Sequence, residues 1–176
     1  MAEQRAVLTV GHGTLGEDAL AGLLIGAGVG LLVDVRRFPG SRAHPHVRRE
    51  ELERWLPERG VAYRWEPRLG GRRRDPAGTT SPDTWWTVPA AAYAGHTRTA
   101  EFRDSLDALL AEPTRTAVLC SETVWWRCHR RLVADVLVLA HGREVLHLQH
   151  DGRLTPHPPA AGAHLRDDGQ VVWDGA

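Results

Sequence analysis

Two kinds of hydrophobic pattern alternate along the chain. Short apolar runs, typical of strands buried on both faces, lie at residues 6–10, 31–35 and 116–120, and two further strand candidates lie at residues 61–67 and 144–149. Apolar residues at helical spacing occupy the segments between them, at residues 15–28, 47–58, 98–112 and 124–139. This alternation predicts a single α/β domain with a mostly parallel sheet flanked by helices, a Rossmann-like three-layer arrangement.

Two segments fall outside this alternation. Residues 68–95 are rich in Gly, Pro, Thr and Arg and predict a long loop, which in a compact domain is usually functional or mobile. From Asp151 onward the chain is rich in Pro and Gly. We therefore divide the 176 residues into an α/β domain, 1–150, and a tail, 151–176, packed on the domain or trailing from it, with residues 171–173 as its docking segment.

Chemically capable side chains cluster just past the ends of three predicted strands. Ligands of open parallel sheets bind beyond the carboxyl ends of the strands, so these residues are expected to share one pocket. The residues at the three strand ends are His12, Gly13 and Thr14; Asp34, Arg36 and Arg37; and Cys120, Ser121 and Glu122.

Composition narrows the chemistry. All 22 basic residues are arginine, which excludes a Schiff-base lysine and a lysine general base. The formal net charge is +0, but residues 36–74 carry twelve arginines and five glutamates, a local net charge of +7 that could meet an anionic ligand. Two cysteines, with no apolar leader and no uncharged span of membrane length, are typical of a cytoplasmic protein with reduced thiols and no membrane partner.

The cysteines suggest thiol chemistry. Cys120 lies between a predicted strand and a predicted helix, where the first-turn N–H groups and the helix dipole would favour a thiolate, helped by Arg127 and His129. Cys128 falls at helical spacing on the apolar face of that helix, which favours packing. A disulfide between them is not expected in a reducing compartment.

A second chemistry is open at the same strand ends. Glu122 and Asp34 could serve as acid, base or nucleophile at a glycosidic centre, and Asp34 could instead pair with a neighbouring arginine to anchor the fold. A bound metal is the least favoured reading, because Cys-x7-Cys-His is not a closed zinc spacing. We therefore assign no metal ligand, and leave any cofactor unknown.

Aromatic and basic residues suggest what the pocket binds. Arg36, Arg37 and Arg130 would hold an anion, and the tryptophan pairs 85–86 and 125–126 could offer indoles on which a flat ligand stacks. Adjacent tryptophans must face different directions, and packing of the loop onto the sheet edge is the alternative to ligand stacking. Trp125 and Trp126 are therefore both candidates for substrate binding.

Several motifs in one order resemble domain-of-unknown-function family 488. They are "TVGHGT", "LLVDVRRFPGSRAHPH", "LGGRR", "YAGHTRTAEF", "LCSETVWWRCHRRLVADVL" and "GRLTP", which together span residues 8–156. The resemblance implies no activity, because the family is named for the absence of one. It implies that the functional positions are His12, Thr14, Asp34, Arg36, Ser41, Tyr93, Cys120, Glu122, Cys128, His129 and Arg130.

We therefore hypothesise a cytoplasmic enzyme, a thiol- or carboxylate-dependent hydrolase or transferase, that acts on an anionic small molecule or nucleotide, with nucleic acid as a further candidate. Cys120 or Glu122 would perform the chemistry, with His12 or His129 carrying the proton. A glycosylase-like DNA repair protein that uses Glu122 and Asp34 is one alternative. A non-enzymatic ligand or metal sensor is the other.

Overall fold

The computed structural model describes residues 5–75, 80–87 and 89–176. Its β-strands are β1 (Val7–Gly11), β2 (Leu31–Asp34), β3 (Ala62–Trp65), β4 (Thr116–Cys120), β5 (Val145–Leu148), β6 (Leu154–Pro156), β7 (Ala163–Leu165) and β8 (Val171–Trp173). Its α-helices are α1 (Glu17–Gly26), α2 (Arg49–Glu58), α3 (Ala90–His96), α4 (Ala100–Leu110) and α5 (Arg130–His141). The predicted α/β class is confirmed.

Six strands form one mixed sheet in the order β3-β2-β4-β1-β5-β6. The first five strands are parallel, as the interposed helices require, and β6 joins β5 in antiparallel orientation. Strands β7 and β8 form a separate antiparallel hairpin. Among the described residues, no helix has both the length and the apolar character needed to cross a membrane.

Alternate residues of the central strands pack on opposite faces of the sheet. In β4, Ala117 and Leu119 join the apolar cluster beneath α1 and α2, whereas Val118 and Cys120 join the cluster beneath α3, α4 and α5. This period of two follows from strand geometry and gives the three layers. Cys120 therefore faces the layer that contains α5.

Two local predictions were wrong in their boundaries. Helix α5 begins at Arg130 rather than near Val124, because a short 3₁₀ turn at Trp125–Arg127 and an extended Cys128 precede it. The segment predicted as one long loop contains α3, and a 3₁₀ turn at Pro67–Leu69 overlaps its start.

The C-terminal segment is anchored by one buried carboxylate of α5. Asp135 accepts hydrogen bonds from Trp173 Nε1 at 2.8 Å and His157 Nε2 at 2.5 Å. His157 Nδ1 lies 2.8 Å from His147 Nε2, and His147 Nδ1 lies 2.5 Å from Thr9 Oγ1. Donors and acceptors alternate along this chain of side chains, so each buried polar atom on it is satisfied.

We expect Asp135→Ala to lower the free energy of unfolding by at least about 3 kcal/mol, because it leaves a buried indole N–H and a buried imidazole without their acceptor. Urea unfolding monitored by circular dichroism measures the change. The matched control is Asp167→Ala on the exposed surface, which should shift stability by no more than about 0.5 kcal/mol. Similar losses in the two variants would contradict the anchoring role.

Candidate functional site

The candidate site is a cleft beyond the carboxyl ends of β2 and β4. Strand β4 lies between β2 and β1 in the sheet. After β2 the chain enters α2 on one face, and after β4 it enters α5 on the other. Chain connections that diverge in this way open a crevice at the sheet edge, which is where open α/β sheets bind ligands.

The cleft has a volume of about 480 Å³, within the range of small-molecule sites. Its lining combines several basic and aromatic side chains with two sulfur atoms and one carboxylate. The basic side chains are Arg36, Arg37, Arg72, Arg127 and Arg131; the aromatic rings are Phe38, Trp86, Tyr93 and Trp126; and the remaining chemically capable residues are Cys120, Ser121, Glu122, Cys128 and His129.

Cys120 and Cys128 lie side by side in this cleft. The structure pairs their sulfur atoms as a disulfide, with the Cα atoms 7.4 Å apart, so the prediction of two unpaired thiols is wrong. Cys128 packs against the apolar cluster beneath α5, as predicted, but it precedes the helix rather than lying on it. Its extended backbone, with φ −135° and ψ 152°, lies ahead of α5 and turns the side chain toward Cys120.

Arg130 supplies the positive charge beside Cys120. Its Nη1 donates to Cys120 Sγ at 2.6 Å and to the Glu122 carbonyl oxygen at 2.7 Å, and Nη2 donates to the Thr123 carbonyl oxygen at 3.0 Å. Because α5 begins only at Arg130, the helix dipole that we expected beside Cys120 is replaced by this guanidinium. Burial lowers the pKa of Arg130 to about 10, so it remains charged near neutral pH.

His129 is held with one nitrogen available to Cys128. Its Nε2 donates to the Val35 carbonyl oxygen at 2.8 Å, which fixes the proton on that nitrogen. Burial lowers the pKa of His129 to about 4, so the ring is neutral at pH 7 and Nδ1 carries a lone pair. Nδ1 lies 3.7 Å from Cys128 Sγ. A Cβ at Gly71 would lie 3.0 Å from Nδ1, so glycine leaves this nitrogen room.

Asp34 does not line the cleft. Its fully buried carboxylate receives Nε and Nη2 of Arg36 at 2.8 and 2.7 Å and the Tyr63 hydroxyl at 2.6 Å. Arg36 also donates to the Val47 carbonyl oxygen at 2.6 Å. The structure therefore gives Asp34 the anchoring geometry, and the side of Arg36 that reaches the cleft belongs to a neutralised pair.

His12 also lies outside the cleft lining. Its Nδ1 donates to the Gly13 carbonyl oxygen at 2.9 Å, and its Nε2 accepts from Arg36 Nη1 at 3.4 Å. Burial is the main cause that lowers the pKa of His12 to about 4. Both nitrogens are occupied, which makes His129 rather than His12 the histidine positioned for proton transfer.

Four further candidates divide between the cleft and its surroundings. Tyr93 lines the cleft with its ring, while its buried hydroxyl donates to the Leu69 carbonyl oxygen at 2.7 Å. Ser41 caps a turn by accepting the His44 N–H at 2.9 Å, and Thr14 lies exposed in the loop after β1. Trp125 stacks on His147 with ring centroids 4.4 Å apart.

Of the two tryptophan pairs, one member each faces the cleft. Trp126 is 51% exposed at the cleft mouth and Trp86 lines its wall, whereas Trp125 packs on His147 and Trp85 packs against Gly162. The expectation that neighbours face different directions is confirmed. Trp125 is thus placed behind the cleft wall rather than in it.

Sequence reasoning missed several lining residues. Phe38 is 62% exposed, and the guanidinium groups of Arg37 and Arg72 lie 5.4 and 5.7 Å from its ring centroid. Arg72 has a positive φ of 58°, the only such non-glycine residue in the described ranges. Backbone outliers of this kind concentrate at functional sites. The "RRF" and "GGRR" motifs contain these residues, but only the folded structure shows that the two motifs lie next to each other.

Two donors in the cleft wall lack acceptors. Trp86 Nε1 and Arg131 Nε are buried, and no hydrogen-bond partner for them lies within residues 5–75, 80–87 and 89–176. The Arg131 guanidinium lies 4.8 Å from the Trp86 ring centroid. Neither atom can accept a hydrogen bond, so a ligand that satisfied them would bring acceptor oxygens.

The described residues contain no group of three or more His, Cys, Asp or Glu side chains placed to hold a metal ion. The sulfur atoms instead contact each other, Arg130 and His129. The contacts thus describe a site organised by a guanidinium and an imidazole.

Fold and cleft together define an α/β protein with an arginine-rich, aromatic pocket around a cysteine pair. Residues 17–137 match the family model described as "Domain of unknown function DUF488", and the chain belongs to that family. No match was found among curated proteins or among solved structures. The cysteine pair, Arg130 and His129 all lie within the matched residues.

We expect Gly11→Ala to displace the loop that borders the cleft. A Cβ at Gly11 would lie 1.6 Å from the Glu122 carbonyl oxygen and 2.8 Å from Arg130 Nη1. The cost should be about 2 kcal/mol or more in urea unfolding, because backbone must move. In contrast, Gly22→Ala in α1 meets nothing within 4 Å and should stabilise the protein by up to about 1 kcal/mol.

We also expect stability to fall as the pH is lowered from about 6.5. Burial lowers the pKa of His12 and His129 to about 4 and that of His147 to about 3, against 6.5 when unfolded. In this window the unfolded chain binds protons that the folded one does not, at about 1.4 kcal/mol per pH unit for each proton. Urea unfolding at several pH values gives the slope of the unfolding free energy against pH. This slope should be shallower for His129→Gln than for the exposed control His141→Gln. Equal slopes would argue against a buried, neutral His129.

Proposed function

We infer that the protein is a thiol-dependent hydrolase or transferase that binds an anionic, planar substrate of the nucleotide type. The observation that carries this proposal is the cleft itself, where arginine side chains and exposed aromatic rings surround two cysteine sulfurs. Arg37, Arg72 and Arg131 form no salt bridge within the described part of the chain, so their charge is available to an anion. Phe38 and Trp126 offer stacking surfaces at the mouth.

Cys128 is the sulfur best placed to react in the reduced protein. It is half-buried in the cleft, whereas Cys120 is only 2% exposed. His129 Nδ1 would take the thiol proton, and the sulfur would attack an electrophilic carbon or phosphorus. The leaving group would depart with the bonding electron pair and take the proton from His129. Water or an acceptor hydroxyl would then cleave the bond to sulfur and restore the thiol.

Carboxylate chemistry at a glycosidic bond has less support. It would require Asp34 to face the substrate together with Glu122, and the Asp34 carboxylate is enclosed by Arg36 and Tyr63. Glu122 is exposed at the cleft and could exchange protons with solvent. A single exposed carboxylate does not supply the paired geometry that such a reaction needs.

Binding is tested with adenosine 5′-monophosphate, adenosine and inorganic phosphate, followed by tryptophan fluorescence and calorimetry. The nucleotide should bind more tightly than either part, with an affinity that falls as salt rises. Arg131→Met and Trp126→Ala should each weaken binding by roughly tenfold, through lost charge and lost stacking respectively. Arg153→Met, at an exposed pair with Asp151, should leave binding unchanged. Equal affinity for all three probes, or none at millimolar concentration, would refute the proposal.

Thiol reactivity is tested with the single-thiol variants Cys120→Ser and Cys128→Ser after reduction. Iodoacetamide at pH 7 should label Cys128 roughly tenfold faster than Cys120, because exposure and the adjacent imidazole favour it. Intact-mass spectrometry follows the rates. His129→Asn should slow the labelling of Cys128 and leave that of Cys120 unaffected. Faster labelling of Cys120 would restore it as the nucleophile, as the sequence alone suggested.

A further inference from the structure

The two cleft sulfurs are set up for chemistry with each other as well as with a substrate. Their pairing joins the end of β4 to the extended residue before α5, across a loop that contains no α-helix. Both cysteines line the cleft, and the half-buried Cys128 gives external reagents a route to the pair. Disulfides that such reagents can reach are typically the labile, regulatory or catalytic ones.

Each sulfur has its own activating group. Cys120 Sγ accepts from the Arg130 guanidinium at 2.6 Å, which stabilises negative charge on that sulfur. Cys128 Sγ lies 3.7 Å from the His129 lone pair and 3.5 Å from the Arg130 backbone N–H. A thiol pair with a buried thiolate and a more exposed partner can open and close in two defined steps.

We propose that Cys120 and Cys128 form a redox-active pair, with the dithiol as the reactive state of the cleft and the disulfide as its oxidised, closed state. In oxidation by hydrogen peroxide, the Cys128 thiolate attacks one oxygen and the O–O bond breaks. Hydroxide departs as the leaving group, and Cys128 becomes a sulfenic acid. The Cys120 thiolate then attacks that sulfur, the S–S bond forms and the S–O bond breaks. The two hydroxides released in these steps combine with the two protons of the original thiols to form two water molecules.

Reduction reverses the two-electron change. One thiolate of an external dithiol attacks Cys128 and displaces the Cys120 thiolate, which the Arg130 guanidinium receives. The second thiol of the reductant then attacks the mixed disulfide, releases Cys128 and carries away the disulfide. Guanidinium stabilisation of the leaving sulfur accounts for the direction of attack, because the better-stabilised thiolate leaves faster.

The redox chemistry of the pair does not depend on the proposed function, but its regulatory consequence does rest on that function. The disulfide consumes the sulfur that would attack the substrate, so oxidation would stop turnover. Arg37, Arg72 and Trp126 take no part in the pairing, so oxidation should change anion binding much less than turnover. The pair would thus regulate the reaction step of the cleft and leave most of its binding surface unchanged.

The test equilibrates the full chain in buffers of reduced and oxidised dithiothreitol, without denaturant. Acid quenching, N-ethylmaleimide labelling and intact-mass spectrometry then count free thiols. We expect one transition between species with two labels and none, and the same closure after hydrogen peroxide. Two outcomes would overturn the proposal: two labels under every oxidising condition, or a disulfide that dithiothreitol opens only after unfolding in urea.

Variants identify the activating group. Arg130→Met should shift the ratio of disulfide to dithiol at a fixed buffer composition roughly tenfold toward the disulfide, because the reduced state loses its thiolate partner. Arg153→Met is the matched control for removing an arginine and should not move the transition. Circular dichroism reports whether the buried substitution folds. If it does not, the wild-type titration alone still decides whether the pair is redox-active.

The two proposals fail separately. A reversible two-thiol transition in a protein that binds neither adenosine 5′-monophosphate nor phosphate would refute the nucleotide proposal and leave the redox pair intact. Nucleotide binding with no native-state transition would refute the redox pair alone. Cys120→Ser and Cys128→Ser serve as controls in both assays, since each retains one thiol and cannot close the intramolecular disulfide.

Discussion

The buried guanidinium of Arg130 is the interaction on which the cleft depends. It is 2% exposed, and it joins Cys120 to the carbonyl oxygens of Glu122 and Thr123. These contacts shape the loop after β4 and bring a positive charge next to the Cys120 sulfur. An unpaired buried charge is costly, and here the two carbonyl dipoles and the sulfur are its partners. The same contacts thus partner both terminal nitrogens of Arg130, whereas its buried Nε has no hydrogen-bond partner among the described residues. They also define the chemistry of its surroundings. Gly11 is part of this arrangement, because only a residue without a side chain leaves room for the Glu122 carbonyl.

The opposite wall is built on a different principle. Asp34 and Arg36 neutralise each other within the protein, which fixes the turn after β2 and leaves the neighbouring Arg37 to face the cleft. Conversely, His129 is kept neutral by burial, so its lone pair survives next to several positive charges. One wall therefore contains a balanced ion pair, and the other contains a buried guanidinium beside sulfur. The positive charge that faces the cavity comes from other arginines, among them Arg37, Arg72 and Arg131.

The hydrophobic pattern was sufficient to predict the fold class. Strands buried on both faces give short continuous apolar runs, and these differ clearly from the spaced apolar residues of the helices between them. The strand "TAVLC" was located to the residue, and Thr99 caps α4 as its position suggests, by accepting the Phe102 N–H. The start of α5 was predicted too early, because Cys128 continues the helical spacing of the apolar residues that follow it. The 3₁₀ turn at Trp125–Arg127 and the extended Cys128 lie in a loop whose shape depends on tertiary contacts, such as those of Arg130 with the carbonyl oxygens of residues 122 and 123. Phe38 and Arg72 were missed for a related reason: their shared location depends on how two separate loops pack, and sequence spacing does not encode it.

The late start of α5 changes how the site can vary. A cysteine activated by a helix N-terminus owes its charge stabilisation to backbone, which most substitutions preserve. Here the stabilisation comes from one side chain, and the same side chain holds the loop in place, so chemistry and loop geometry cannot be altered independently. Exposed residues that face the cavity, such as Phe38 and Trp126, do not combine these two roles. Ligand preference can therefore change at the mouth of the cleft, while the cysteines, Arg130 and His129 remain bound to one another by their contacts.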